Sequence, residues 1–128
     1  MPRFTLNKLV RDKIVESNLK TGAKVKYREL SQAEHRTALV NKIIEEAKEI
    51  LKAGTDDAAD EIADVQQAVD DLVEQFGLNE ETIKKSQNRK RRNNGAFKKG
   101  HYIEHLDLDE DHPYTEYYRK DPERFLET

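Results

Sequence analysis

Residues 31–76 read SQAEHRTALVNKIIEEAKEILKAGTDDAADEIADVQQAVDDLVEQF and carry two successive stretches of helical periodicity. In the first stretch, apolar residues recur every three or four positions, which is the spacing of one face of an α-helix. Ser31 followed by Glu34 matches a capping box, in which the two residues satisfy free backbone groups at a helix start. We therefore predict a long helix from Ser31 to about Ala53 that ends at Gly54.

The second stretch predicts another long helix, beginning near Thr55 or Asp56, whose side chains can cap it, and ending before Gly77. The connection at Gly54 is short, so the two helices should form an antiparallel hairpin. The apolar arc on each helix spans roughly 140° to 180°, which is wider than one neighbouring helix covers. We predict an all-α fold in which at least a homodimer completes a four-helix bundle.

The composition is that of a single soluble domain spanning residues 1–128, with 35% hydrophobic and 38% charged residues. So little apolar material makes burial against a second copy favourable. The net charge of −3 argues against a protein built wholly to coat nucleic acid. The absence of cysteine excludes disulfides and thiolate zinc sites. With no apolar run of membrane-spanning length and no signal-peptide core, we expect a cytoplasmic protein without a membrane partner.

Shorter elements should flank the hairpin. Residues 7–20 predict a short helix capped by Asn7 and stopped by Gly22, and residues 24–30 predict a brief extended connector. A basic helix should follow Asn79 and fade at residues 93–95. From about residue 107 the chain becomes an acidic, tyrosine-containing tail in which two prolines limit regular structure.

Four acidic side chains in the hairpin form two motifs, Glu46-x-x-Glu49 and Glu61-x-x-Asp64. Residues three apart on a helix project from one side, about 60° apart around the axis. Glu61 falls inside the apolar arc of its helix, where an ionised carboxylate is costly unless paired or coordinated. Clustered carboxylates of this kind suit Mg²⁺ or Mn²⁺. The alternative is that these acids occupy solvated faces and form salt bridges with lysines, namely Lys42, Lys48 and Lys52.

The order of these motifs resembles the MazG-like, all-α nucleotide pyrophosphohydrolase superfamily, which includes phosphoribosyl-ATP pyrophosphohydrolases. Residues 7–14, NKLVRDKI, resemble the start of its small single-domain members, and Gly95-Ala96-Phe97 preceded by Lys90 resembles their C-terminal K…RGGF element. The similarity covers about residues 5 to 106. Two departures affect that last element, since Asn94 stands where the family usually has arginine and Ala96 replaces a glycine.

The resemblance implies that Glu46, Glu49, Glu61 and Asp64 bind Mg²⁺, with Mn²⁺ as a substitute. It also implies cleavage of a nucleoside triphosphate between its α and β phosphates, giving a monophosphate and pyrophosphate, in the removal of non-standard or excess nucleotides. A spare carboxylate near the metal can take the proton of the attacking water, and Glu45 is the first candidate for this base. The alternative is that Glu45, about 100° from Glu46 around the helix, points to solvent.

Positive charge for the substrate phosphates is predicted from two segments. Lys8, Arg11 and Lys13 lie near the start of the chain, and Lys90 lies where the family has a lysine. The alternative for these residues, and more so for the rest of the basic stretch 84–99, is ordinary surface charge.

Other functions remain open at the level of sequence. Within the same fold, phosphoribosyl-ATP is an alternative substrate. The basic helix also allows a helical dimer that binds nucleic acid, although the aromatic side chains of a single-strand stacking platform are lacking there. A non-catalytic scaffold is a third alternative, against which the retention of all four acids counts.

Overall fold

The computed structural model describes residues 1–128 and contains five α-helices and no β-strand. The helices are α1 (Ile14–Lys20), α2 (Gln32–Lys52), α3 (Ala58–Gln75), α4 (Glu80–Asn94) and α5 (Thr115–Arg119). The predicted all-α class is confirmed. None of the five helices combines the length and the apolar character that crossing a bilayer would require.

The chain divides into two compact units, Met1–Asn93 and Asn94–Thr128. The first unit contains the α2–α3 hairpin together with α1 and most of α4. The second contains the tail, where α5 lies between the two prolines that limit it. In that unit Thr115 is buried and its hydroxyl donates to the carbonyl oxygen of Asp109.

The predicted start of α2 is confirmed in detail. The Ser31 hydroxyl accepts a hydrogen bond from the backbone N–H of Glu34, and the Glu34 carboxylate accepts one from the backbone N–H of Ser31. Arg28 adds a two-pronged ion pair to the same carboxylate. These contacts lower the pKa of Glu34 to about 2, chiefly through the hydrogen bond from Arg28.

The start of α3 differs slightly from the prediction. The helix begins at Ala58, after a turn through residues 55–57, and Asp57 at its N-cap makes no side-chain capping bond. The end of α3 agrees with the prediction, because Gly77 takes a left-handed conformation with φ of 68° and closes the helix.

The predicted helix at residues 7–20 is only half present. Helix α1 begins at Ile14, and Asn7, the predicted cap, lies in a non-helical segment with φ of 46°. Tertiary contacts outweigh the local pattern here, since Lys8 and Arg11 form ion pairs with Glu45 of α2 and Asp64 of α3. The predicted stop at Gly22 is confirmed.

Helix packing in the first unit is concentrated between α2 and α3. The buried apolar residues of this hairpin are Leu39 on α2 and Ala68 on α3. At the open end of the hairpin, the Arg36 guanidinium donates twice to the carbonyl oxygen of Gln75 and stacks 4.5 Å from the ring centre of Phe76. The beginning of α2 is thereby tied to the end of α3.

Both helices of the hairpin keep an apolar stripe in contact with solvent. On α2 the stripe contains Val40, Ile44 and Leu51. On α3 it contains Ile62 and Val69 and continues to Phe76 at the C-cap, and all six side chains are exposed by more than a third. The wide apolar arcs predicted from the sequence are therefore present, and one helical neighbour covers only part of each.

Candidate metal centre

An acidic cluster forms where α2 and α3 face each other near the turn of the hairpin. Glu46, Glu61 and Asp64 each contribute one carboxylate oxygen to a group whose atoms all lie within 4.8 Å of one another. Helical spacing places Glu61 and Asp64 on one side of α3, and the antiparallel hairpin brings Glu46 of α2 opposite them. All three side chains are half-buried.

The cluster carries an electrostatic cost in the metal-free protein. The pKa of Glu61 lies above its ordinary value because burial disfavours the ionised form and neighbouring carboxylates repel it. The repulsion comes from Glu46, Asp64 and Glu49, in that order. A divalent cation among these oxygens would remove the repulsion.

Glu49 lies near this cluster without joining the convergent oxygens. Its charge acts on Glu61, but its carboxylate is also 3.7 Å from the ammonium group of Lys52. Its assignment as a fourth metal ligand stays a prediction.

Glu45, the predicted general base, lies beside the cluster and is held by two lysines. Its carboxylate is 3.2 Å from the Lys8 ammonium and 3.3 Å from that of Lys42. Burial by itself would raise the pKa of Glu45, but the hydrogen bonds and charges of the two lysines outweigh it, so the pKa is lowered. A lowered pKa keeps the group ionised at neutral pH and at the same time makes it a weaker base.

Lys42, which the sequence predicted as a salt-bridge partner but not as a residue of the functional site, lies against two of the acids. It lies 3.3 Å from Glu45 and 3.4 Å from Glu46, with its side chain 20% exposed. The signal was present, because Lys42 precedes these acids by three and four positions on one helix. The expectation of lysine salt bridges therefore holds for Lys42 and for Lys52, whereas Lys48 forms none.

The four predicted phosphate-binding residues fall into two groups. Lys8 and Arg11 reach the hairpin, where they pair with Glu45 and Asp64 respectively. Lys13 and Lys90 are exposed and make no ion pair. Of the four, the structure therefore brings only Lys8 and Arg11 to the acidic face, the side of the hairpin that carries Glu45, Glu46, Glu61 and Asp64.

A small cleft lies between the N-terminal segment and α2, and Glu45 is the one acidic residue that lines it. Its volume is about 210 Å³, and its lining residues are Asn7, Lys8, Leu9, Ala38, Asn41, Lys42 and Glu45. Small-molecule sites commonly enclose about 300–1,000 Å³. The cleft could hold part of a nucleotide, and a complete site would need a further wall.

No protein-family model, no curated protein and no solved structure matches the chain.

Proposed function

We propose that the chain is a cytoplasmic, Mg²⁺-dependent nucleotide pyrophosphohydrolase that acts as a homodimer. The observation that supports this most is the convergence of carboxylates from two helices, Glu46 on α2 with Glu61 and Asp64 on α3. The motifs that resemble MazG-like enzymes contain these same three residues.

The donor set fits a hard divalent cation. Ligand oxygens around one Mg²⁺ lie about 3 to 4 Å apart, as follows from metal–oxygen distances of about 2.1 Å in an octahedron. Oxygens that already lie within 4.8 Å reach that geometry through small side-chain rotations. Glu49 can complete the set by leaving Lys52, to which it is held only by an exposed pair at 3.7 Å.

The surrounding charges suit the tail of a nucleoside triphosphate. When bound, Mg²⁺ supplies charge neutralisation at the phosphate oxygens and a water of lowered pKa. Lys8, Arg11 and Lys42 lie around the acids and can take the remaining negative charge of the phosphates. Glu45, whose pKa is lowered by Lys8 and Lys42, is our candidate for the base that accepts the proton of the attacking water.

A second copy of the chain is part of the proposal. The apolar stripes of α2 and α3 are exposed, and the cleft beside Glu45 is smaller than a nucleotide requires. Pairing two hairpins would cover the stripes in a four-helix bundle.

The direct test is to incubate the protein with a panel of nucleoside triphosphates and Mg²⁺ and to measure pyrophosphate separately from orthophosphate. We expect pyrophosphate from the wild type and a loss of at least about 100-fold in Glu61→Gln, since even outer partners of metal ligands contribute about 10- to 100-fold. Glu74→Gln makes the same chemical change on an exposed part of α3 and should keep full activity. Release of orthophosphate alone, or equal turnover in both variants, would refute the proposal.

Phosphoribosyl-ATP belongs in the same panel, because it carries the same polyphosphate tail and is the alternative substrate within this fold. Its preferential hydrolysis would change the substrate assignment and leave the metal centre and the reaction class as proposed.

One observation favours a second candidate, nucleic-acid binding. Helix α4 has no buried residue, and its cationic side chains Lys84, Arg89, Lys90, Arg91 and Arg92 are exposed and free of ion pairs. Retardation of an oligonucleotide that survives Glu61→Gln but is lost in the double variant Arg91→Ala, Arg92→Ala would support this function. Pyrophosphohydrolase activity should show the opposite pattern: it should be lost in Glu61→Gln and kept in the double variant Arg91→Ala, Arg92→Ala.

A further inference from the structure

The N-terminal segment crosses the acidic face of the hairpin and contacts both helices. Lys8 pairs with Glu45 on α2, and Arg11 pairs with Asp64 on α3. The segment is not helical between these two residues, so its two cations reach different helices instead of lying on one face of a helix.

Arg11 therefore already supplies a positive charge to one member of the convergent cluster. Its Nη2 atom donates to Oδ1 of Asp64 over 2.6 Å, the shortest ion pair in the chain. Glu61 has no such basic partner. In the metal-free protein the charge of Asp64 is therefore compensated by Arg11, whereas the charge of Glu61 is not compensated by a basic side chain.

We propose that Arg11 is an exchangeable counter-ion: it neutralises Asp64 until a divalent cation binds there, and then transfers to a phosphate group of the substrate. This inference rests on the proposed function, since it requires the acidic cluster to bind a metal and the metal to bring a polyphosphate. It gives Arg11 a second role besides phosphate binding, namely to pair with Asp64 before the metal binds.

The exposure of the pair makes the exchange inexpensive. The side chains of Arg11 and Asp64 are 58% and 39% exposed, and ion pairs this exposed change an equilibrium constant by only about 1.4- to 5-fold. The guanidinium has a planar fork of donors that fits phosphate as well as carboxylate, so it loses no geometric match when it changes partner. The metal in turn gains an oxygen that Arg11 had occupied.

The exchange predicts effects of opposite sign when Arg11 is removed. Without Arg11, a divalent cation no longer competes for Asp64, so the metal should bind more tightly. The polyphosphate loses its guanidinium partner, so it should bind more weakly. A residue that only binds phosphate would affect the second step alone.

The test measures Mn²⁺ binding to the full chain by calorimetry or by the electron paramagnetic resonance of free Mn²⁺, without nucleotide. In Arg11→Ala we expect the Mn²⁺ dissociation constant to fall by about 2- to 5-fold. Inorganic triphosphate is then titrated at saturating Mn²⁺, and its dissociation constant should rise about tenfold, as befits one lost charge-assisted contact.

Lys24→Ala is the matched control. Like Arg11→Ala it removes one exposed positive charge, but Lys24 makes no ion pair. Comparison with Lys24→Ala corrects the dissociation constants of Mn²⁺ and of triphosphate for the change in net charge. Arg11→Lys keeps the charge without the planar fork and should restore part of the triphosphate affinity. Circular dichroism verifies that each variant keeps its helices.

The outcomes separate the two proposals. A wild type that fails to bind Mn²⁺ would overturn the metal centre and the exchange together. Normal Mn²⁺ binding that is no tighter in Arg11→Ala than in Lys24→Ala would overturn the exchange alone. The exchange would also be overturned by triphosphate binding that is absent from the wild type or equal in Arg11→Ala and wild type.

Discussion

Glu46 on α2 and Glu61 on α3 bring carboxylate oxygens to within 4.8 Å of each other across the hairpin, together with an oxygen of Asp64. Like charges at this distance oppose folding unless a proton or a cation separates them. Burial of Glu61 and the repulsion from these neighbouring carboxylates together raise its pKa.

Neutralising one of these acids should stabilise the metal-free protein while abolishing its response to metal. In Glu61→Gln the repulsion from Glu46, Asp64 and Glu49 disappears, so we expect a higher Tm than wild type in the presence of EDTA. Mg²⁺ at millimolar concentration should raise the Tm of wild type and leave that of Glu61→Gln unchanged. Thermal unfolding followed by circular dichroism measures both, with Glu74→Gln as the control. A lower Tm of Glu61→Gln in EDTA would contradict the electrostatic account.

The metal response should depend on pH in a defined direction. Because the pKa of Glu61 is raised on folding, the folded state keeps this proton at pH values where the unfolded chain has lost it. The contribution of Glu61 to stability without metal is therefore fully present below its unfolded pKa and is lost as the pH rises through the folded pKa. Mg²⁺ requires the ionised carboxylate, so the increase in Tm caused by Mg²⁺ should grow over the same window. Scans from about pH 4 to about pH 7, spanning ordinary glutamate values and above, would show this. An increase that shrinks with rising pH would be inconsistent with the cluster as the metal site.

The capping box at the start of α2 should contribute measurably to stability. Ser31→Ala removes the hydroxyl that accepts from the backbone N–H of Glu34, and we expect a loss of about 1 kcal/mol in the free energy of unfolding. Urea titration measures it. Thr37→Ala, which removes an exposed α2 hydroxyl that bonds only the preceding turn, should cost less.

The tie between the two ends of the hairpin predicts a larger effect. Arg36→Met keeps much of the aliphatic stem but loses both hydrogen bonds to the carbonyl of Gln75 and the stacking on Phe76. These contacts together suggest a cost of about 1 to 3 kcal/mol in the free energy of unfolding. Arg36→Lys keeps one charged donor, so its free energy of unfolding should lie between those of Arg36→Met and wild type. Equal stability of Arg36→Met and wild type would show that the contact does not stabilise the hairpin.

The proposed homodimer depends on the exposed apolar stripes. Ile44 is 48% exposed on α2, and Ile44→Asp would place a charge in the interface of the four-helix bundle. We expect wild type to elute with the mass of at least a dimer in size-exclusion chromatography with light scattering, and Ile44→Asp to elute as a monomer. Leu19→Asp makes a similar change on exposed α1 and should leave the mass unchanged. A monomeric wild type would remove the homodimer from the proposal.

Much of the hairpin follows from local signals in the sequence. The capping box of Ser31 and Glu34, the break at Gly54 and the left-handed Gly77 act over a few residues, and the structure places helix boundaries close to all three. The misplaced start of α1 has a different origin. The local pattern around Asn7 allows a helix, but the ion pairs of Lys8 with Glu45 and of Arg11 with Asp64 are tertiary contacts that no local pattern contains.

The sequence by itself determined the two amphipathic helices, their reversal at Gly54 and the acids at three-residue spacing, because helical periodicity and end signals operate within a few residues along the chain. Only the tertiary structure decided which charges meet: Glu46 with Glu61 and Asp64, Lys8 with Glu45, and Arg11 with Asp64. Those contacts join residues far apart along the chain, and they depend on the rotation and register of one helix against the other. Local spacing fixes the face on which a side chain lies, whereas packing of the hairpin fixes what lies opposite it.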